Sequence, residues 1–294
     1  MIDIRYHVYS IAAVFLALAI GMIIGTSMDG FSPASKSERK IIERYENAAK
    51  DLKVEIEKAS YEASKSKEII AKTENLISFT QPYFIADKLM WRNAALVVTS
   101  DNEKEIKSIR KSLEVAGIYI SSITAINTEF DFQDSDNIKK VLIKCHIIPP
   151  EEDAEIINKF ITVLSNTIEM GNHKDLTSIM EKAGVASFDG DYTKENKLIV
   201  LIGGSSKLLG IPNTFDKIFI TQTKDSGAQI VGVEPSNAKF SYINAWAKAG
   251  ISTVDNIDQS IGRMSLVYAL MGEDGQYGIK PTADRLYPSA MEQN

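Results

Sequence analysis

The sequence predicts an α/β protein in three consecutive parts: an N-terminal transmembrane helix, a long coiled-coil helix, and a mostly parallel sheet with helices on both faces. Three observations predict this order. The first segment is apolar and uncharged, residues 35–80 contain neither proline nor glycine, and from about residue 90 apolar runs alternate with amphipathic segments. We therefore expect a membrane anchor over residues 1–30, a stalk over 31–82 and a globular domain over 83–294.

The first segment has the length and composition of a single membrane-spanning helix. Residues 8–24 carry no charged side chain, and about 20 residues in an α-helix span a hydrocarbon core of about 30 Å. A cleaved signal peptide and a buried core helix are the alternatives. Gly21 and Gly25 have the GxxxG spacing that lets two helices pack closely in lipid.

A heptad-like stripe of small and apolar residues runs along the second segment. Its members are alternately four and three residues apart, with one repeated step of four residues after Leu52. The stripe consists of Ile41, Tyr45, Ala48, Leu52, Ile56, Ala59, Ala63, Ser66, Ile70, Thr73, Ile77 and Thr80. This pattern favours a parallel homodimeric coiled coil over a solvated helix lying on the following domain. Gln81 and Pro82 are expected to end the helix.

The third segment reads as strands and helices in alternation. Strands are expected at residues 94–99, 118–126, 141–147, 198–202, 229–233 and 252–254, which are short apolar runs. Helices are expected up to residue 116 and at residues 151–169, 174–183, 215–224, 242–249 and 260–271, and several of them end at a glycine. Ser100 and Glu103 form a capping box for the first of these helices.

Composition excludes several classes of function. The net charge of −6 argues against a nucleic-acid partner, and a single cysteine, Cys145, excludes an intrachain disulfide framework. Cys145 and His146 are more typical of a buried thiol and its neighbour than of a metal site. Neither a catalytic triad motif nor a metalloenzyme motif is present. We therefore expect no enzyme and no cofactor.

A glycine pair is the first candidate for a pocket or loop. Gly203 and Gly204 follow the most apolar strand, at the end where a parallel sheet opens its ligand crevice. Backbone N–H groups in such a turn can cradle an anion. A plain strand-to-loop turn is the alternative.

Polar residues near the C-terminus are the second candidate. Asp255 and Asp258 could bind a cation through oxygen ligands, or they could form a turn and cap the next helix. Tyr277, in a Gly-x-Tyr-Gly segment, is expected either to lock the sheet edge or to close a pocket. Asp255, Asn256 and Tyr277 would line such a pocket.

Motifs at both ends of the chain carry a resemblance to a known family. The N-terminal motif is Ile4-Arg5-Tyr6-His7-Val8, followed by the apolar residues 10–21. The C-terminal motifs are residues 250–258, Gly262-Arg263, residues 266–270, Gly275-Gln276-Tyr277-Gly278 and Leu286-Tyr287-Pro288. Together they resemble the MctB copper-transporter family. The resemblance implies a role in copper homeostasis or efflux at the cell envelope, with copper as the only metal and the globular domain outside the cytoplasmic membrane.

The sequence thus predicts a single-pass, membrane-anchored envelope protein that forms a homodimer through its coiled segment. An envelope protein is a further candidate partner. Two alternatives stay open. One is a tethered scaffold that docks a partner and has no metal role. The other is an α/β enzyme with its site near Gly203 and Asp255.

Overall fold

The computed structural model describes residues 4–28, 33–101, 104–171 and 174–293. The chain divides into two compact units, Met1–Ala71 and Lys72–Asn294. The second unit contains a seven-stranded sheet. The α/β class and the mostly parallel sheet predicted from the sequence are therefore confirmed.

The N-terminal helix α1 spans Ile4–Met28. Crossing a bilayer takes about 20 consecutive, predominantly apolar residues. In α1 the polar residues Ser10 and Thr26 bound an apolar run over residues 11–25, which is shorter than that. Among the residues that the structure describes, no helix is long and apolar enough to cross a membrane. The predicted transmembrane helix is therefore wrong, and the single-pass topology built on it loses its support.

The second helix, α2, spans Pro33–Ile85 and continues through Pro82, so the predicted end at Gln81 and Pro82 is also wrong. Its last turn is held by packing and hydrogen bonds within the second unit. Ile85 is buried, the Gln81 side-chain amide donates to the Ser112 hydroxyl at 2.9 Å, and the Pro82 carbonyl accepts from the amide of Ala86. These contacts offset the loss of one helical hydrogen bond at proline.

The sheet has the strand order β3-β2-β1-β4-β5-β6-β7. Its strands are β1 (Arg92–Val98), β2 (Ile118–Ile126), β3 (Ala186–Gly190), β4 (Leu198–Ile202), β5 (Gln229–Val233), β6 (Ser252–Val254) and β7 (Gln276–Tyr277). All neighbouring pairs are parallel except β2 and β3, which are antiparallel. The order reverses between β1 and β4, because the chain moves from β1 to one edge and then from β4 to the other.

Helices cover both faces of the sheet, as predicted. They are α3 (Ile106–Val115), α4 (Ser135–Lys144), α5 (Asp153–Met170), α6 (Lys174–Lys182), α7 (Phe215–Asp225), α8 (Ile243–Lys248) and α9 (Ser260–Leu270). Successive residues of β1 enter different hydrophobic clusters, because side chains alternate along a strand. Ala95 and Val97 join the cluster containing α4 to α8, whereas Leu96 joins the one containing α3 and α9.

The strand predicted at residues 141–147 is wrong, because the first four of these residues end helix α4. The Asp134 carboxylate caps this helix by accepting the amide of Asn137 at 3.0 Å. Ile138, Val141 and Leu142 are buried at helical spacing. A short apolar run does not distinguish a strand from a buried helix, and in this segment the cap and the spacing favour the helix.

The predicted capping box at the start of α3 is not formed. Helix α3 begins at Ile106 with Glu105 as its N-cap residue, so Ser100 lies too early in the chain to cap it. Glu103, the other member of that box, lies outside the described residues.

Candidate functional site

A crevice opens where the strand order reverses between β1 and β4. In open parallel sheets this switch point, at the carboxyl ends of the strands, is where ligands bind. A cavity of about 300 Å³ lies there. Its lining includes Asp101 and Lys104 after β1, Gly204 and Ser206 after β4, and Asn237 and Lys239 after β5.

Asp101 and Ser206 join the two loops that flank the crevice. The Ser206 amide donates to Asp101 Oδ1 at 3.1 Å, and the Ser206 hydroxyl donates to Asp101 Oδ2. The hydroxyl contact is the main cause that lowers the pKa of Asp101, against an opposing effect of burial. Asp101 is therefore a carboxylate that is engaged by the neighbouring loop.

The two predicted glycines have different roles beside this crevice. At Gly203 an added Cβ would overlap the rings of Trp246 and Tyr242, so the absence of a side chain lets that aromatic pair pack under the turn. Gly204 lines the crevice and has a φ of +74°, and its Cβ would lie 2.8 Å from that of Ala238. Only Gly204 therefore faces the cavity, while Gly203 serves the core.

A buried carboxyl group, Asp216, lies close to the end of β1. It stands in the first turn of α7 and is fully buried. Its Oδ2 accepts from Trp246 Nε1 at 2.8 Å and from the Thr99 hydroxyl at 3.4 Å. Its Oδ1 has no hydrogen-bond partner among the described residues. Burial raises the pKa of Asp216 to about 8, so the group holds its proton at neutral pH.

Tyr242 is a second buried polar group in this region. Its hydroxyl is without a hydrogen-bond partner among the described residues. Burial raises the pKa of Tyr242 to about 12, and the adjacent Ser205 hydroxyl is the main opposing influence. The negative charges of Asp101 and Glu234 also act on it. Ser205 lines the crevice, so Tyr242 is close to one residue of its lining.

The other predicted site residues meet at the edge of the sheet between β6 and β7. The Asp255 amide donates to the Tyr277 carbonyl at 3.0 Å. The Asp255 side chain is fully buried and accepts the amides of Ile279 at 2.7 Å and Lys280 at 2.9 Å. Burial raises the pKa of Tyr277 to about 12, and its hydroxyl donates to the Glu273 carbonyl at 3.1 Å. These contacts hold the C-terminal segment against the sheet.

Asn256 is also buried, and its amide donates to Gln259 Oε1 at 3.3 Å. Asp258 accepts the amide and the hydroxyl of Ser236 at 2.6 and 2.7 Å, which ties it to the loop after β5. Within the described parts of the chain, no group of three or more histidine, cysteine, aspartate or glutamate side chains is placed to hold a metal ion. Tyr277 borders a separate cavity of about 390 Å³.

Glu234 connects the two predicted groups. It follows β5, is fully buried, and pairs with the ammonium group of Lys280. Its Oε2 accepts the amide of Tyr242 at 2.8 Å, and its Cβ lies next to Gly204. Because the partners are 46 residues apart in the chain, spacing in the sequence gives no signal for this ion pair.

Gly21 and Gly25 lie within α1, in the first unit, and an added Cβ at either would meet no atom within 4 Å. Cys145 is buried, and burial raises the pKa of its thiol. The adjacent His146 has a left-handed backbone, with a φ of 61°.

Comparison with known proteins gives one consistent result. The profile of the family described as "Copper transport outer membrane protein, MctB" matches residues 1–288. Proteins named "Copper transporter MctB" from Mycobacterium bovis and Mycobacterium tuberculosis are 23% identical to the chain over 312 aligned residues. These alignments cover 95% of this chain and 96% of each relative.

Proposed function

Because the chain belongs to the MctB family, we propose that it serves copper homeostasis or efflux at the cell envelope. The observation that carries the proposal is the extent of the family match, which runs through both structural units. In this role copper is the cargo or the ion whose level is controlled. The role that we propose is non-catalytic, because the sequence contains no recognisable catalytic motif.

We further propose that the protein is a homodimer through the stripe on α2. Three large members of this stripe, Leu52, Ile56 and Ile70, are 57%, 60% and 66% exposed in the single chain. Side chains that recur at steps of four and three form a seam that a second helix covers. Alanine, serine and threonine at the other seam positions bury little area, so the expected dimer is weak.

The copper role is tested in a strain that lacks the gene. The deletion strain should tolerate less copper and retain more of it than the parent, and the full-length protein supplied in trans should restore both. Tolerance to zinc is the control and should not change. Unchanged copper content and unchanged copper tolerance after deletion would contradict the proposal and favour a partner-binding scaffold without a metal role.

The dimer is tested by sedimentation of the full chain and two variants. The double variant Leu52→Lys with Ile56→Lys should be monomeric, because four lysines would face one another across the seam. Val54→Lys is the matched control: Val54 is 65% exposed but lies outside the stripe, so this variant should keep the dimer. A monomeric parent protein, or equal loss of the dimer in the control, would contradict the pairing.

A further inference from the structure

An apolar surface lies open on the last turns of α2, within the second structural unit. It is formed by Leu76, Phe79 and Tyr83, which are 63%, 72% and 79% exposed. Their spacing of three and four residues places them on one face of the helix, which we call the exposed face of α2. The rings of Phe79 and Tyr83 are neighbours, with their centres 6.5 Å apart. Contiguous apolar exposure of this kind, unlike singly scattered residues, marks an interaction site.

The opposite side of these turns is fixed against the same unit. Ile85 is buried, and the Gln81 side-chain amide donates to the Ser112 hydroxyl at 2.9 Å. The Phe84 carbonyl accepts from the Tyr268 hydroxyl at 3.2 Å. Rotation of the helix to bury its exposed face would break these contacts. The unit therefore cannot cover this face itself, and the face is presented to another molecule.

The stripe on α2 turns toward the unit at this end of the helix. Its last two members, Ile77 and Thr80, are half-buried. Ile77 packs against the hydrophobic cluster that contains α3 and α9. A second helix therefore cannot pair with α2 through these two residues as it can through Leu52 and Ile56. The large apolar side chains that are still open here are those of the exposed face.

We propose that the exposed face of α2 docks on the exposed face of a second copy of this chain. The proposal rests on the proposed homodimer, because a parallel pair of helices brings the same residues of both chains to one level. Such a contact is isologous, so the surface must complement itself. Phe79 and Tyr83 of one copy meet the same two rings of the other, and the globular units take part in the dimer.

The area of this contact suits a weak dimer that needs reinforcement. The four rings are each about three-quarters exposed, so their pairing removes roughly 450–750 Å² from water. This is about a third to a half of a standard protein–protein interface. It adds to the small area that the alanine, serine and threonine members of the stripe contribute.

The contact is tested by cross-linking the full chain in the variant Phe79→Cys. The one native cysteine, Cys145, is buried, so the new thiol is the accessible one. A short bismaleimide should join two copies at this residue, because isologous pairing places both thiols near the dimer axis. Ser78→Cys is the matched control. Ser78 is exposed but lies about 100° around the helix, where it lines a cavity with Arg263 of its own unit, and it should cross-link far less.

Phe79→Ala measures what the contact contributes to the dimer. In sedimentation of the full chain it should weaken dimerisation about 30-fold or more, since each dimer loses two central rings. Tyr83→Ala should act in the same direction and serves as the second variant if Phe79→Ala does not fold. Leu208→Ala is the control for loss of an exposed apolar side chain. Leu208 is 80% exposed, and the next residue packs on the cluster that contains α4 to α8, so this variant should keep the dimer.

The outcomes separate this contact from the dimer itself. A dimer that is unchanged in both alanine variants and is not cross-linked through Phe79→Cys would overturn the docking of the exposed faces. If that dimer is lost in Leu52→Lys with Ile56→Lys, the pairing through the stripe survives and only this contact fails. A monomeric parent protein would contradict both. Equal cross-linking of Ser78→Cys and Phe79→Cys would also overturn the contact.

Discussion

Substitution of Gly278 by alanine tests whether the C-terminal segment is a structural lock. Gly278 has a φ of +137°, and an added Cβ would overlap the Asp255 carboxylate. The carboxylate would have to move, and with it the hydrogen bonds to the amides of Ile279 and Lys280. Hydrogen bonds to a charged group contribute about 1.5–3 kcal/mol each, so we expect a loss of about 3–6 kcal/mol in addition to the backbone strain.

The Gly272→Ala variant measures the cost of backbone strain alone, without the steric overlap that Gly278→Ala creates. Gly272 also has a positive φ, +102°, but an added Cβ there would meet no atom within 4 Å. It should cost only the strain of a positive φ, about 1–2 kcal/mol. At about 2–4 °C per kcal/mol for a unit of this size, Gly278→Ala should melt at least about 6 °C below Gly272→Ala. Urea and thermal unfolding, followed by tryptophan fluorescence, measure both. Equal stability of the two variants would refute the lock.

The remaining predictions concern two buried acidic residues, Asp216 and Glu234. In Asp216→Asn the pH dependence of stability should flatten: the folded parent keeps the Asp216 proton up to about pH 8 and the unfolded chain releases it near pH 4. The free energy of unfolding of the parent therefore falls as pH rises between these values, by up to about 1.4 kcal/mol per pH unit. Urea titrations at several pH values measure this dependence, and an equal dependence on pH in the parent and in Asp216→Asn would contradict the prediction. Lys280→Met should cost about 3–5 kcal/mol because it leaves Glu234 charged and buried. Glu234→Gln in the same chain should recover part of that loss, and no recovery would show that the ion pair is not the cause.

A strand was predictable from the sequence where it is buried on both faces, because all of its residues are then apolar. Strand β4 is buried at every position, and its five residues are all apolar. Strand β3 was missed because it is an edge strand with serine, aspartate and glycine among its residues, and it is held to β2 by backbone pairing. Such pairing depends on residues far away in the chain and leaves no local pattern.

The candidate site was predictable only in part, because its geometry depends on strand order. Gly204 could be chosen from its place after an apolar strand, and it does line the cavity. The neighbouring Asp216 gave no comparable signal. It contacts Thr99 at a separation of 117 residues and Trp246 at a separation of 30 residues. Its position in the first turn of a helix is that of an ordinary exposed aspartate.

The C-terminal motif that carries the family resemblance makes close contacts within the fold. The Asp255 carboxylate accepts hydrogen bonds from two backbone amides. Gly278 allows the approach of that carboxylate, and at Gly262 an added Cβ would overlap the backbone of Asn256. Substitutions of Asp255, Gly278 or Gly262 are therefore expected to destabilise the folded protein, so a lost copper phenotype would not by itself assign a chemical role to these residues.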